Sequence, residues 1–135
     1  MTAFAAAASQ IRARMNANFT AAPIAWENAP HQPNDDAFVF FEVVSGGSEQ
    51  VSIGSPNARL YRHAGVIQAH VFVPTGKGTK LALEHADTIA AIFRGQSFNG
   101  VLCFAPRLGN AAQADDDGKW YRVTVSIPFQ YDAIF

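Results

Sequence analysis

The sequence predicts an α+β domain, a mostly antiparallel β-sheet packed against two α-helices. Three observations predict it. Two stretches, one at the N-terminus and one past the middle, repeat apolar residues at helical spacing, and several others alternate with a period of two. The strands are joined by Gly-, Ser- and Asn-containing hairpin connections rather than alternating one for one with helices. No internal repeat or linker splits the 135 residues, so the domain spans 1–135.

The first helix is predicted over roughly residues 2–18. Phe4, Ala8, Ile11, Met15 and Phe19 share one face and Gln10, Arg14 and Asn18 lie on the other; Asn18, Thr20 and Pro23 end it. Pro23–Asn28 reads as a short strand with Ile24 and Trp26 on one face. Pro30, Pro33, Asn34, Asp35 and Asp36 then make a loop. Ala37–Val44 is a strand with large apolar groups on both faces, Val39, Phe41 and Val43 against Phe38 and Phe40, so both are covered. The second cover is either a neighbouring subunit or the domain's own layers. Ser45-Gly46-Gly47-Ser48 reads as the hairpin turn and Gln50–Gly54 as its returning strand, broken by Ser55, Pro56 and Asn57.

The longest strand is predicted over 59–73. Ile67, Ala69, Val71 and Val73 face one way and Val66, Gln68, His70 and Phe72 the other. Gly65 marks a bulge or a close backbone approach, and Pro74 ends the ladder because it has no N–H to donate. The second helix is predicted over 79–94, with Thr79 as N-cap, Ala82, Ala86, Ile89 and Phe93 on its apolar face, a Lys80–Glu84 pair opposite, and Gly95 as the stop. Phe98–Phe104 reads as one strand closed by Pro106, residues 107–118 as a polar loop, and Trp120–Phe129 as the last strand.

Composition excludes more functions than it suggests. Ten basic and 11 acidic residues give a net charge of −1 with no block of five or more like charges, against the basic patch that sequence-independent nucleic-acid binding needs. The loose group Arg59, Arg62 and His63 reads as a solvated strand end. Only 16% of residues are charged, which leaves surface for protein partners. The alanine-rich start, Met1–Ala8, lacks the basic region of a signal peptide, and no run reaches the ~18 apolar residues of a membrane span, so no membrane association is expected. Cys103, the single cysteine, lies in the apolar run Val101–Phe104, where a thiol acts as a small hydrophobe and no intrachain disulfide forms.

No candidate catalytic or metal site emerges. Gly76-Lys77-Gly78-Thr79 precedes a helix but lacks the spacing of a phosphate loop. His63 and His70 fall on opposite faces of one strand, and His85 sits at the edge of an apolar helix face as a packed histidine. Asp115-Asp116-Asp117-Gly118 lacks the ligand spacing of a calcium loop. No cofactor is expected.

Several signals in order and spacing resemble the phage tail-terminator-like family. They are Ile11-Arg12, Ala25-Trp26-Glu27-Asn28 with Pro33, Ser52-Ile53-Gly54, Gly65-Val66-Ile67-Gln68, Val71-Phe72-Val73-Pro74 with Gly76-Lys77-Gly78-Thr79, then Phe93, Pro106 and Trp120-Tyr121, spanning roughly residues 10–130. The resemblance implies an α+β fold and a non-enzymatic structural role in the virion tail, with assembly in the host cytoplasm. It implies a ring, typically hexameric, that caps the tail tube, stops its polymerisation and presents a surface to the head connector. The implied partners are other copies of the chain, the tail tube protein and the head–tail connector protein, with DNA passing through without specific binding.

Size permits such a ring. A domain of this length has a radius of gyration near ~14 Å, so six equivalent spheres leave a hole of roughly 36 Å, wider than duplex DNA at about 20 Å. Subunit or tube contacts are expected at the exposed turn Ser45, Gly46, Gly47 and Ser48 and at the loop from Arg107 to Lys119, which carries Asp115, Asp116 and Asp117. Two other readings stay open: another head–tail joining protein, or a small-molecule-binding or enzymatic α+β domain with a deep polar pocket.

Overall fold

Three long strands carry the architecture. In a computed structural model that describes residues 3–28, 37–76, 79–109, 112–113 and 120–134, the helix α1 (Ala3–Asn18) is followed by β1 (Ile24–Trp26), β2 (Phe38–Gln50) and β3 (Leu60–Pro74). The helix α2 (Lys80–Phe93) comes next, then β4 (Ser97–Phe98), β5 (Val101–Cys103), β6 (Arg107–Leu108), β7 (Ala112–Gln113) and β8 (Trp120–Ile134). The eight strands form one sheet in the order β1-β2-β3-β8-β5-β4, with β6 and β7 also pairing with β8. Every pairing is antiparallel except β1 with β2. This is the α+β class that the periodicities predict.

Alternation along the three long strands sorts the sheet into two faces. Val39, Phe41 and Val43 of β2, Ile67, Ala69, Val71 and Val73 of β3, and Val123, Val125, Ile127 and Phe129 of β8 are all buried on one face. Both helices pack there. α1 contributes Ala8, Ile11 and Met15, with Phe19 just past its end, and α2 contributes Ala82, Ala86, Ile89 and Phe93, the stripes read from helical spacing. Burying each large side chain contributes about 1.5–3 kcal/mol. The rings interlock: Phe41 stacks on Phe93 at 6.0 Å, and Trp26 meets Phe41 edge-on at 5.7 Å. Arg14 ties the helices together, its Nε donating to the Ile92 carbonyl at 2.9 Å while its guanidinium lies 4.9 Å from the Phe98 ring centre.

Of the two readings that its place in the alternation allows, a bulge or a close approach, Gly65 is the close approach. A Cβ there would lie 2.5 Å from the Phe129 ring and 2.6 Å from the Val44 carbonyl oxygen. Gly95, in the left-handed region at φ 61°, follows the end of α2. Thr79 occupies the N-cap position of α2, but its side chain makes no capping hydrogen bond.

Five boundaries differ from expectation; one is the polar loop predicted over 107–118, within which Arg107–Leu108 and Ala112–Gln113 pair with β8 as β6 and β7 because β8 offers them its edge. Ser45–Ser48 is not the hairpin turn, and Gln50–Gly54 is not the returning strand. β2 runs through to Gln50, and its register with β3 shifts between Ser45 and Gly47, so the glycines are taken up as a bulge inside the strand. The turn lies further on, where Ala58 N–H donates to the Ser55 carbonyl at 2.9 Å and Asn57 takes φ 67°. Phe98–Phe104 is not one strand but a tight hairpin of β4 and β5, turned by Asn99 (φ 47°) and Gly100 (φ 86°), the pair that favours two-residue loops. The last strand continues past Phe129 to Ile134, because β3 pairs with it along its whole length. Pro128 is tolerated inside it since its nitrogen faces the gap between β5 and β6, where only its carbonyl is used, by Phe104 N–H at 2.9 Å.

The predicted loop holding Pro30, Pro33, Asn34, Asp35 and Asp36 lies outside the described residues, as do His31, Lys77, Gly78, Asn110, Asp115, Asp116, Asp117, Gly118 and Lys119. No described helix is long and apolar enough to cross a membrane.

Candidate functional site

The face of the sheet away from the helices carries a cluster of polar and aromatic side chains. Register places Phe38, Phe72 and Arg122 in one cross-strand row, Phe40, His70 and Thr124 in the next, and Glu42, Gln68 and Ser126 in the third. All nine are partly exposed. The Phe38 ring stacks on Phe72 at 4.8 Å and meets Trp120 edge-on at 5.1 Å. Both faces of β2 are therefore covered at its start, one by the helix layer and the other by aromatic neighbours on the same sheet.

His70 sits at the centre. Its Nδ1 lies 2.9 Å from Thr124 Oγ1 in its own row and its Nε2 lies 3.0 Å from Glu42 Oε1, which reaches diagonally from the next, so imidazole, hydroxyl and carboxylate are linked across three strands. The Phe40 ring stacks beside it at 6.0 Å. Alternation alone puts His70 and Thr124 on one face, but their pairing depends on register, which the sequence does not display. The row has the residue types of a nucleophile, a base and an orienting acid. It lies flat on paired strands, however, and catalysis of that kind also needs hydrogen-bond donors converging on a developing oxyanion. Cross-strand bonding accounts for it fully: such pairs contribute about 0.2–1 kcal/mol each.

Beyond these rows the three long strands extend past the helices as an arm. Val44–Gln50 of β2 are all exposed, and β3 and β8 stay paired beside them out to Leu60 and Ile134. At the tip Ile53 is fully exposed, and Ile134 is 67% exposed. Arg62 and Asp132 pair across the arm, Nε to Oδ1 at 3.0 Å, and Arg59 Nε donates to the Gly54 carbonyl at 2.9 Å. The basic group at this strand end is thus engaged within the arm. Gly47, Ser48, Glu49, Arg62, Ala64 and Gln130 line an open hollow of about 310 Å³ there.

The predicted contact residues are dispersed. Ser45, Gly46, Gly47 and Ser48 lie along the arm in β2, and Arg107 is exposed in β6, on the far side of β8. Asp115, Asp116, Asp117 and Lys119 lie outside the described residues, so no meeting of the two groups is defined.

A residue that position alone did not mark as structural is Glu27, just past β1. Its Oε1 accepts from Arg12 Nη2 at 2.8 Å and from Val43 N–H at 3.0 Å, joining α1, β1 and β2. Beside it, Arg12, Ala13, Asn16 and Trp26 line a hollow of about 320 Å³.

Two buried titratable groups, His85 and Cys103, serve packing. His85 is buried and meets Phe19 edge-on at 5.8 Å; desolvation lowers its pKa from the ordinary 6.5, so its ring is held neutral as a packing element. Burial pushes the Cys103 thiol up to about 11, outside the range of a reactive cysteine. Among the described residues no three His, Cys, Asp or Glu side chains converge to hold a metal.

Comparison with known proteins bears on this geometry in two ways. Residues 1–129 match a sequence family described as phage tail terminator protein. One solved structure shares the fold with a TM-score of 0.63 at 20% identity, the match covering 91% of this chain and 94% of the other. No curated protein matches the chain.

Proposed function

The chain belongs to the phage tail terminator family, a structural component of the phage tail, and on that premise we propose that it caps the tail tube as a ring. The ring covers the growing end of the tube, stops further polymerisation and offers a new surface to the head–tail connector protein. Its partners are other copies of the chain, most simply six, the tail tube protein and the connector, with DNA passing through the hole. Assembly takes place in the host cytoplasm, and the mechanism is shape rather than chemistry.

The match across residues 1–129 carries this reading. The architecture supports it. A closed ring of identical subunits needs two different patches on each, because its contacts are heterologous. The two edges of the arm, β2 on one side of β3 and β8 on the other, are two dissimilar surfaces of the kind such contacts use. The His70 row is consistent with a structural role because each of its polar groups already has a partner.

Negative-stain imaging of tails assembled with and without the protein tests the proposal. Tubes that overgrow in its absence, and regain a fixed length with an end ring when it is added back, support it. Tubes of normal length that fail to join heads would instead assign it to head–tail joining.

A further inference from the structure

We propose that neighbouring copies join by main-chain strand addition, the free edge of β8 in one arm pairing in parallel with the free edge of β2 in the next. The inference rests on the ring reading above and specifies its contact.

Among the described residues the outer edge of β2 is used only at its start. β1 pairs with Val39, Phe40 and Phe41, and the Glu27 carboxylate then takes the Val43 N–H. From Val44 to Gln50 no described strand lies beside that edge, and all seven residues are exposed. Val51 N–H donates inward to the Leu60 carbonyl, so alternation turns the N–H and C=O groups of Ser48 and Gln50 outward. The usual protections of an exposed edge are lysine, proline, a bulge or inward charge. Here the stretch Ser45–Gln50 has the bulge and Glu49 but neither lysine nor proline.

The complement is on the opposite side of the same arm. β5 pairs with β8 only at Phe129, Gln130 and Tyr131. Past that point β8 has no described strand on its far side, and the same alternation turns Asp132 and Ile134 outward. β2 and β8 both flank β3 antiparallel, so both run toward the tip. Copies related by rotation about a ring axis keep that direction, and the joint is therefore parallel.

Charge selects the register. Asp132 beside Glu49 of the next copy would set two carboxylates together, whereas a shift of two residues puts Ile134 beside Glu49 and Asp132 beside Gly47. In that register Ser48 N–H donates to the Asp132 carbonyl, Ile134 N–H to the Ser48 carbonyl, and Gln50 N–H to the Ile134 carbonyl. The exposed Ile134 side chain is then covered by the neighbouring arm.

The test is disulfide trapping in full-length protein assembled on tails. Within one chain, positions 49 and 134 are separated by the whole of β3, two strand spacings or roughly 10 Å, too far for a disulfide. Between copies in the proposed register they are direct neighbours. Oxidised Glu49→Cys/Ile134→Cys protein is expected to run as a ladder of covalent multimers, with each single variant giving no ladder beyond a dimer. Ser48→Pro is a second probe, removing one outward N–H while sparing the inward bonds to β3. It should keep the wild-type melting temperature yet need at least tenfold more protein to cap tubes.

A double variant that caps tubes to normal length without forming multimers overturns the strand-addition joint and leaves the capping function standing. So does Ser48→Pro capping at wild-type concentration. Wild-type protein that fails to set tube length fails the functional reading itself, which separates the two.

Discussion

Glu27 continues the β1 ladder past the end of the strand: its carboxylate accepts the Val43 N–H at 3.0 Å, where the next carbonyl of a longer strand would stand. The same oxygen takes the Arg12 guanidinium at 2.8 Å, so one side chain sets the angle between α1 and the edge of the sheet. Both partners are about one-third exposed, which screens the ion pair and leaves the backbone bond as the larger contribution. Glu27→Ala is expected to cost about 1.5–3 kcal/mol, the range for losing a hydrogen bond to a charged group. Glu27→Gln, which keeps an acceptor oxygen, should recover most of it. Urea titration of the two variants checks this, and equal losses would show that charge rather than the Val43 bond holds the corner.

How much of this was legible in the sequence varied with range. Period and spacing revealed both helices, the buried faces of the three long strands and the role of Gly65, because each is written in residues a few positions apart. The errors came where two distant stretches decide together. Ser45-Gly46-Gly47-Ser48 has the composition of a turn, but β3 offers a partner beyond it, and pairing with Ala64 and His63 draws the glycines into a strand. The Asn99-Gly100 dipeptide is a turn signal that reading Phe98–Phe104 as one strand passes over, because the apolar residues around it continue the alternation. The His70 row could not be read, since it depends on which residue of β8 stands opposite β3.

Gly65 has no room for a side chain. A Cβ would meet both the Phe129 ring and the Val44 carbonyl below 3.0 Å, and the second neighbour is backbone that cannot swing aside. Gly65→Ala is therefore expected to destabilise the fold by about 1–3 kcal/mol, as overpacked cores do. Combining it with Phe129→Leu should restore only part of the loss. Full restoration in thermal melts would show that the ring alone sets the limit.

His85 makes stability depend on pH in one direction. Its folded pKa lies below the ordinary 6.5, so the unfolded chain takes up the proton first. Stability is then greatest above about pH 6.5 and falls as pH drops from there toward the lowered folded pKa. Melting temperatures of wild type and His85→Leu between pH 7.5 and 5 check the sign. The wild type should lose stability across this window more steeply than the variant, and parallel curves would remove His85 as the cause.

Cys103 should be a silent thiol in the folded protein. It is 1% exposed in β5, and burial raises its pKa to about 11, so almost no thiolate exists at neutral pH and no path leads reagent to it. Reaction with a thiol-specific disulfide reagent is expected to be at least a hundredfold slower than in denaturant, with a rate set by opening of the β5 region. Labelling at the unfolded rate under native conditions would mean that β4 and β5 detach readily from β8. Such detachment would also lengthen the free edge of β8 back from Asp132 to Phe129.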